Sequence, residues 1–149
     1  MLVVADTSPI SYLILIEEVE VLPKLYGRVL IPPQVLAELQ SQAGPGPVRA
    51  WASNPQEWLE VKAPVALDMT LAVDEGQRAA ICLASELKAD QLLMDDRAGR
   101  EVAARMGIST AGRRCQKTQA IAHRHPKWLV EERPYYCCLP IWRTRFQDG

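Results

Sequence analysis

A chain of 149 residues is large enough for one domain with a real core and too short for two independent ones. Its 48% hydrophobic content is ordinary for a globular protein, and no apolar run approaches the roughly 18 residues of a membrane span. The net charge of −1 hides two unlike parts: residues 1–112 hold nine Lys/Arg against fifteen Asp/Glu, whereas residues 113–149 hold eight against three. An acidic body of net charge −6 is thus followed by a basic segment of net charge +5. The opening Met1–Asp6 has no basic region and its apolar run is broken by an acid, so it does not read as a signal peptide. A cytoplasmic location follows as the expectation, and with it no structural disulfides among the four cysteines.

Leu2–Ala5 predicts a first strand ending on Asp6. Ser8 is the expected cap of the next helix, with Pro9 at its first position, where the missing N–H is harmless. Val19, Leu22, Leu25 and Tyr26 predict a second short helix ending at Gly27, and Val29–Ile31 a strand that stops at Pro32-Pro33. A helix is expected from about Pro33 to Gln42, then a loop over residues 43–47, a short helix before Asn54, and a strand over residues 58–61. Asp74 opens a helix carrying Ala79, Ala80, Leu83, Ala84 and Leu87. Gln91–Met94 reads as a buried strand ending on Asp95-Asp96, residues 97–106 as a helix stopped by Gly107, and Ile108-Ser109-Thr110 as the start of another strand. Strands alternating with helices predict an α/β fold with a central parallel sheet covered on both faces.

In such a sheet the functional site lies beyond the carboxyl ends of the strands, where Asp6 and Asp95-Asp96 fall. Glu38 and Asp74-Glu75 are expected to reach the same edge. Carboxylates converging in one cleft repel each other unless a divalent cation lies among them. Plainer readings stand beside this one. Asp74 with Gln77 fits a helix capping box, and Asp96 can cap the helix that begins at Arg97, leaving Asp95 as the ligand. Glu38 alone would be a solvated helix charge, Arg97 and Arg100 either touch phosphate or lie on a surface helix, and Cys82 reads as core. Asp6 has no packing purpose at a strand tip before Thr-Ser-Pro.

Taken together, Val4-Ala-Asp6-Thr-Ser-Pro-Ile, Val29-Leu-Ile-Pro-Pro-Gln-Val-Leu-Ala-Glu38-Leu, Asp74-Glu-Gly76 leading into Ala80-Ile-Cys-Leu-Ala84, and Leu92-Leu-Met-Asp95-Asp96-Arg-Ala-Gly-Arg100 resemble the PIN-domain proteins, in particular their DUF3368-type branch, related to the VapC toxins of toxin–antitoxin pairs. The resemblance spans residues 1 to about 112. It implies a PIN-like three-layer α/β/α fold and a Mg²⁺- or Mn²⁺-dependent endoribonuclease acting on RNA. Asp6, Glu38, Asp95 and Asp96 are the implied catalytic residues, and the same four with Glu75 the implied metal ligands. Thr7 or Ser8 would hydrogen-bond the ligands or the substrate phosphate. A toxin of this kind implies an antitoxin protein as partner and a homodimer, and no membrane. Where relatives carry an acid directly after the glycine, this chain has Gln77, with Glu75 as the nearby substitute. That departure supports an alternative: a catalytically inactive PIN-like module that binds RNA or protein.

Residues 113–149 do not resemble the end of this family, so the C-terminal part is atypical. They hold both histidines, three of the four cysteines and five of the nine aromatics. Cys115, His123, His125, Cys137 and Cys138 match no standard zinc spacing. Basic residues interleaved with Trp128, Tyr135, Tyr136 and Trp142 offer charge and stacking to RNA. The favoured reading is that this segment is translated out of frame from a GC-rich gene, which an apolar helical tail in another frame of the nucleotide sequence would bear out.

Overall fold

The structure is a computed structural model that describes residues 1–54 and 56–112. The basic segment, with the zinc, RNA-binding and frame readings attached to it, lies outside the described residues.

Five short strands, β1 (Val3–Ala5), β2 (Val29–Ile31), β3 (Leu59–Val61), β4 (Gln91–Leu93) and β5 (Thr110–Ala111), form one sheet in the order β3-β2-β1-β4-β5. Every neighbouring pair is parallel. Val3, Val4 and Ala5 of the central strand are fully buried, as a strand covered on both faces requires, and this is why it reads as an unbroken apolar run rather than an alternation.

Successive side chains of each strand feed opposite layers. Val3, Ala5, Val29, Ile31 and Leu93 pack with Ile10 and Leu13 of α1 (Thr7–Leu15), Leu22 of α2 (Val21–Tyr26), Val35 and Leu39 of α3 (Pro33–Leu39) and Val48 of α4 (Gly46–Ala52). Val4, Leu30, Leu92 and Met94 pack on the other side with Ile81 and Leu83 of α5 (Glu75–Glu86) and Val102 of α6 (Arg97–Arg105). The result is the expected α/β/α layering. No described helix is long and apolar enough to cross a membrane.

Three local expectations are corrected. Ser8 does not cap α1: Asp6 holds the N-cap position with an extended backbone (φ −86°, ψ 169°), and Pro9 lies inside the first turn, where no N–H has a partner to lose. α3 ends at Leu39 instead of Gln42, because Ser41 folds the chain back, its hydroxyl accepting from the Ala43 N–H at 3.2 Å and its carbonyl from Gly44 at 3.0 Å. α4 starts at Gly46, taking Gly46-Pro47 out of the expected loop, since proline suits a helix's first turn.

The connection before α5 runs along that helix and delivers Asp74 to its start. Val65 N–H donates to Glu86 at 2.7 Å, Asp68 N–H to the Cys82 sulfur at 3.3 Å, and Arg78 Nη2 to the carbonyls of Leu71 and Val73 at 3.2 and 2.9 Å. Residues 78, 82 and 86 lie one turn apart on a single helix stripe. Cys82 is therefore buried as expected and also holds this strap.

Candidate active site

The strand order reverses beside β1, which places a crevice at the carboxyl ends of β1 and β4. Asp6 stands at the tip of β1, its N–H donating to the carbonyl of Leu93 in β4 at 2.9 Å. It is 2% exposed, and among the described residues it is the buried charged one. Its carboxyl is pushed up from 3.8 to about 7, first by burial and then by the negative charges of Asp74, Glu38 and Asp95, against a lowering contribution from the Thr7 N–H. Although Asp6 occupies the N-cap position of α1, its side chain makes no capping hydrogen bond. The carboxylate is thus buried among like charges, with the Thr7 N–H as its contact to the helix it precedes.

Glu38 projects from α3 toward this point. The Thr7 hydroxyl donates a hydrogen bond to its Oε2. Its carboxylate also lies against the first turn of α5, where a β-carbon on Gly76 would stand 2.7 Å from Cδ and 2.8 Å from Oε2. Asp95 follows β4, half-buried, with its Oδ1 beside Gly112 at the end of β5.

Asp74 has two roles. It caps α5, its Oδ1 accepting from the Gln77 N–H at 2.8 Å, as the capping-box reading expects. It also bears on Asp6 more strongly than Glu38 or Asp95 does, in keeping with the expectation that Asp74-Glu75 reaches the same edge. A helix opening at the carboxyl edge of the sheet brings its cap residue to the crevice. Gly76, as the surface on which Glu38 rests, had no sequence signal.

The remaining candidates are placed differently. Asp96 caps α6, its Oδ2 accepting from the Gly99 N–H at 2.9 Å. Glu75 is exposed on the first turn of α5 and lines a shallow recess with Gln34, Ala37, Glu38 and Ser41. Neither is among the charges that act on Asp6. Gln77 leans toward α6, with its Oε1 3.2 Å from where a Gly99 β-carbon would be.

The four carboxylates Asp6, Glu38, Asp74 and Asp95 supply hard oxygen donors, and their mutual repulsion around a buried acid suits a divalent cation. As placed, no three His, Cys, Asp or Glu side chains among the described residues close into a metal-binding group. Donor chemistry therefore fits such an ion, while the side chains stand apart from a finished ligand shell.

A family model described as "DUF3368: PIN domain" matches residues 2–113. Among solved structures the chain is similar to a PilT N-terminus domain protein from the hyperthermophilic archaeon Sulfolobus solfataricus P2. The TM-score is 0.54 and the identity 17%, covering 74% of this chain and 85% of that one. At that identity the likeness speaks for the fold alone. No curated protein matches the chain significantly.

Proposed function

We propose, for a chain that belongs to the DUF3368 family of PIN domains, that the Asp6 crevice is the active site of a metal-dependent endoribonuclease. The observation that carries this reading is Asp6 itself, buried, without a capping hydrogen bond and raised to about 7 by burial and three neighbouring carboxylates. Buried acids perturbed by desolvation and specific charge partners concentrate at working sites.

Asp6 would hold Mg²⁺ or Mn²⁺ from the strand tip, Glu38 from α3 and Asp95 from the end of β4, with Asp74 contributing charge from the cap of α5. Such an ion supplies a water of lowered pKa and neutralises charge developing on a phosphodiester. The protein's own part is orientation. Thr7 holds the Glu38 carboxylate by its hydroxyl, and the N–H of Asp6 ties β1 to β4 so that Asp6 and Asp95 share one edge. Asp96, engaged with Gly99, keeps α6 in register in place of binding metal. RNA as substrate, and a toxin's role beside an antitoxin, rest on the family resemblance of the motifs. A small adjacent gene for a DNA-binding protein would support the latter.

The test is cleavage of a mixed RNA pool with Mg²⁺ or Mn²⁺ against EDTA, with Asp6→Asn as control. Products that require metal and vanish in the variant support the reading, and well-folded protein giving no metal-dependent product sinks it. A second reading, an inactive module that binds RNA or protein, is favoured by Gln77 and by the open arrangement of the carboxylates. It predicts RNA retention without cleavage.

A further inference from the structure

We propose that Gly76 is a positioning residue, its missing side chain forming the seat of the Glu38 carboxylate on the first turn of α5. The inference rests on the metal-site reading of the Asp6 crevice.

Glycine within a helix is disfavoured against alanine, because it gives up the most backbone freedom. It is excused where φ is positive, as at Gly27 and Gly107. Gly76 is not of that kind. It is the second residue of α5, buried, with a backbone any residue adopts. The reason for glycine is therefore space.

What fills that space is one side chain. The three atoms nearest a β-carbon at position 76 are Cδ, Oε1 and Oε2 of Glu38. Other close-packed glycines differ. At Gly112 the main chain of Met94 is nearest, and at Gly99 the Met94 side chain, so ordinary packing accounts for both. At Gly76 the neighbour is the end of a flexible and exposed glutamate, which a β-carbon would push aside without disturbing the core.

The same carboxylate is also held at Oε2 by the Thr7 hydroxyl. Glu38 is thus clasped between the first turns of α1 and α5, and the positive end of the α5 dipole adds to the hold. This seat sets how far a charge carried on α3 reaches toward Asp6. A methyl group at position 76 would move the carboxylate off the seat, and a side chain one methylene shorter would leave room for it.

Two measurements on the full chain decide the matter. In EDTA, thermal unfolding of Gly76→Ala is compared in the native and Glu38→Ala backgrounds. Alanine should raise the melting temperature in the Glu38→Ala background, through its better helix propensity, and raise it less or lower it where Glu38 is present. An equal change in both backgrounds overturns the seat. With Mn²⁺, followed by the loss of the free-ion EPR signal, Gly76→Ala should bind about tenfold to a hundredfold more weakly. Adding Glu38→Asp should recover a substantial part of that loss. Affinity unchanged by Gly76→Ala, or a double variant as weak as the product of the two single effects, overturns the positioning role. Native protein that binds no Mn²⁺ overturns the metal reading instead, and the EDTA comparison then still decides whether the seat exists.

Discussion

The Thr7 hydroxyl donates a hydrogen bond to Oε2 of Glu38, joining the first turn of α1 to α3 across 31 residues of sequence. One residue after the buried Asp6, the chain thus holds a second acid pointed at the same crevice. Thr7→Val keeps the shape and β-branching and removes the donor. It should lower metal-dependent RNA cleavage about tenfold to a hundredfold. The bond lies at the surface, so unfolding free energy should change by only about 1 kcal/mol. Thr7→Ser, which keeps the hydroxyl, should retain most activity. Equal loss in both variants would show that the hydroxyl is not the relevant group.

Asp6 makes stability depend on pH in the direction opposite to that of a salt-bridged acid. Its carboxyl lies near 3.8 unfolded and about 7 folded, so between those values the folded state binds more protons. Stability therefore declines as pH rises from about 4 to about 7 and levels off above, by up to roughly 4 kcal/mol. Asp6→Asn resembles the protonated acid and should lack this slope, ending more stable than the native chain at pH 8 in EDTA. Urea unfolding at pH 5 and pH 8 checks it. If Mn²⁺ binds the crevice, it should stabilise native protein at pH 8 and leave Asp6→Asn almost unmoved.

The α/β layering was legible because β1, β2 and β4 are buried on both faces and so appear as short apolar runs between helical periods. Asp6 was legible because a charged residue closing such a run has few structural excuses. What periodicity does not carry is how one side chain is divided between tasks. Asp74 was read either as one of the converging acids or as a cap, and it serves as both, capping α5 while its charge acts on Asp6. Ser8 was read as a cap and is not, because the chain turns into α1 two residues earlier, at Asp6 to Thr7. The seat at Gly76 depends on α3 and α5 meeting, a contact between residues 38 positions apart that local pattern does not reveal.

Asp95 and Asp96 were equal candidates as adjacent acids, and their environments now differ. Asp96 caps α6 through Gly99, whereas Asp95 acts on Asp6. Asp96→Ala should reduce stability by about 1 kcal/mol, the usual loss of a cap, with little effect on cleavage of RNA at a temperature well below unfolding. Asp95→Asn should do the reverse, abolishing cleavage with a minor effect on stability. Side-by-side melting curves and cleavage rates read both, and an Asp96→Ala protein that is stable but inactive would reassign the ligand.

Asp74 allows its cap and its charge to be separated. Asparagine caps a helix about as well as aspartate, so Asp74→Asn should preserve the bond from the Gln77 N–H and leave stability at pH 5 nearly unchanged. The charge, however, is the largest of the three carboxylate contributions raising Asp6. Its removal should move the midpoint of the Asp6-dependent stability change to lower pH, most visibly between pH 5 and 7 in EDTA. Asp74→Ala loses both functions and should also be destabilised at pH 5 by about 1 kcal/mol. Identical pH profiles for native protein and Asp74→Asn would mean that the cap, exposed at the rim, is screened from Asp6 and takes no part in the crevice.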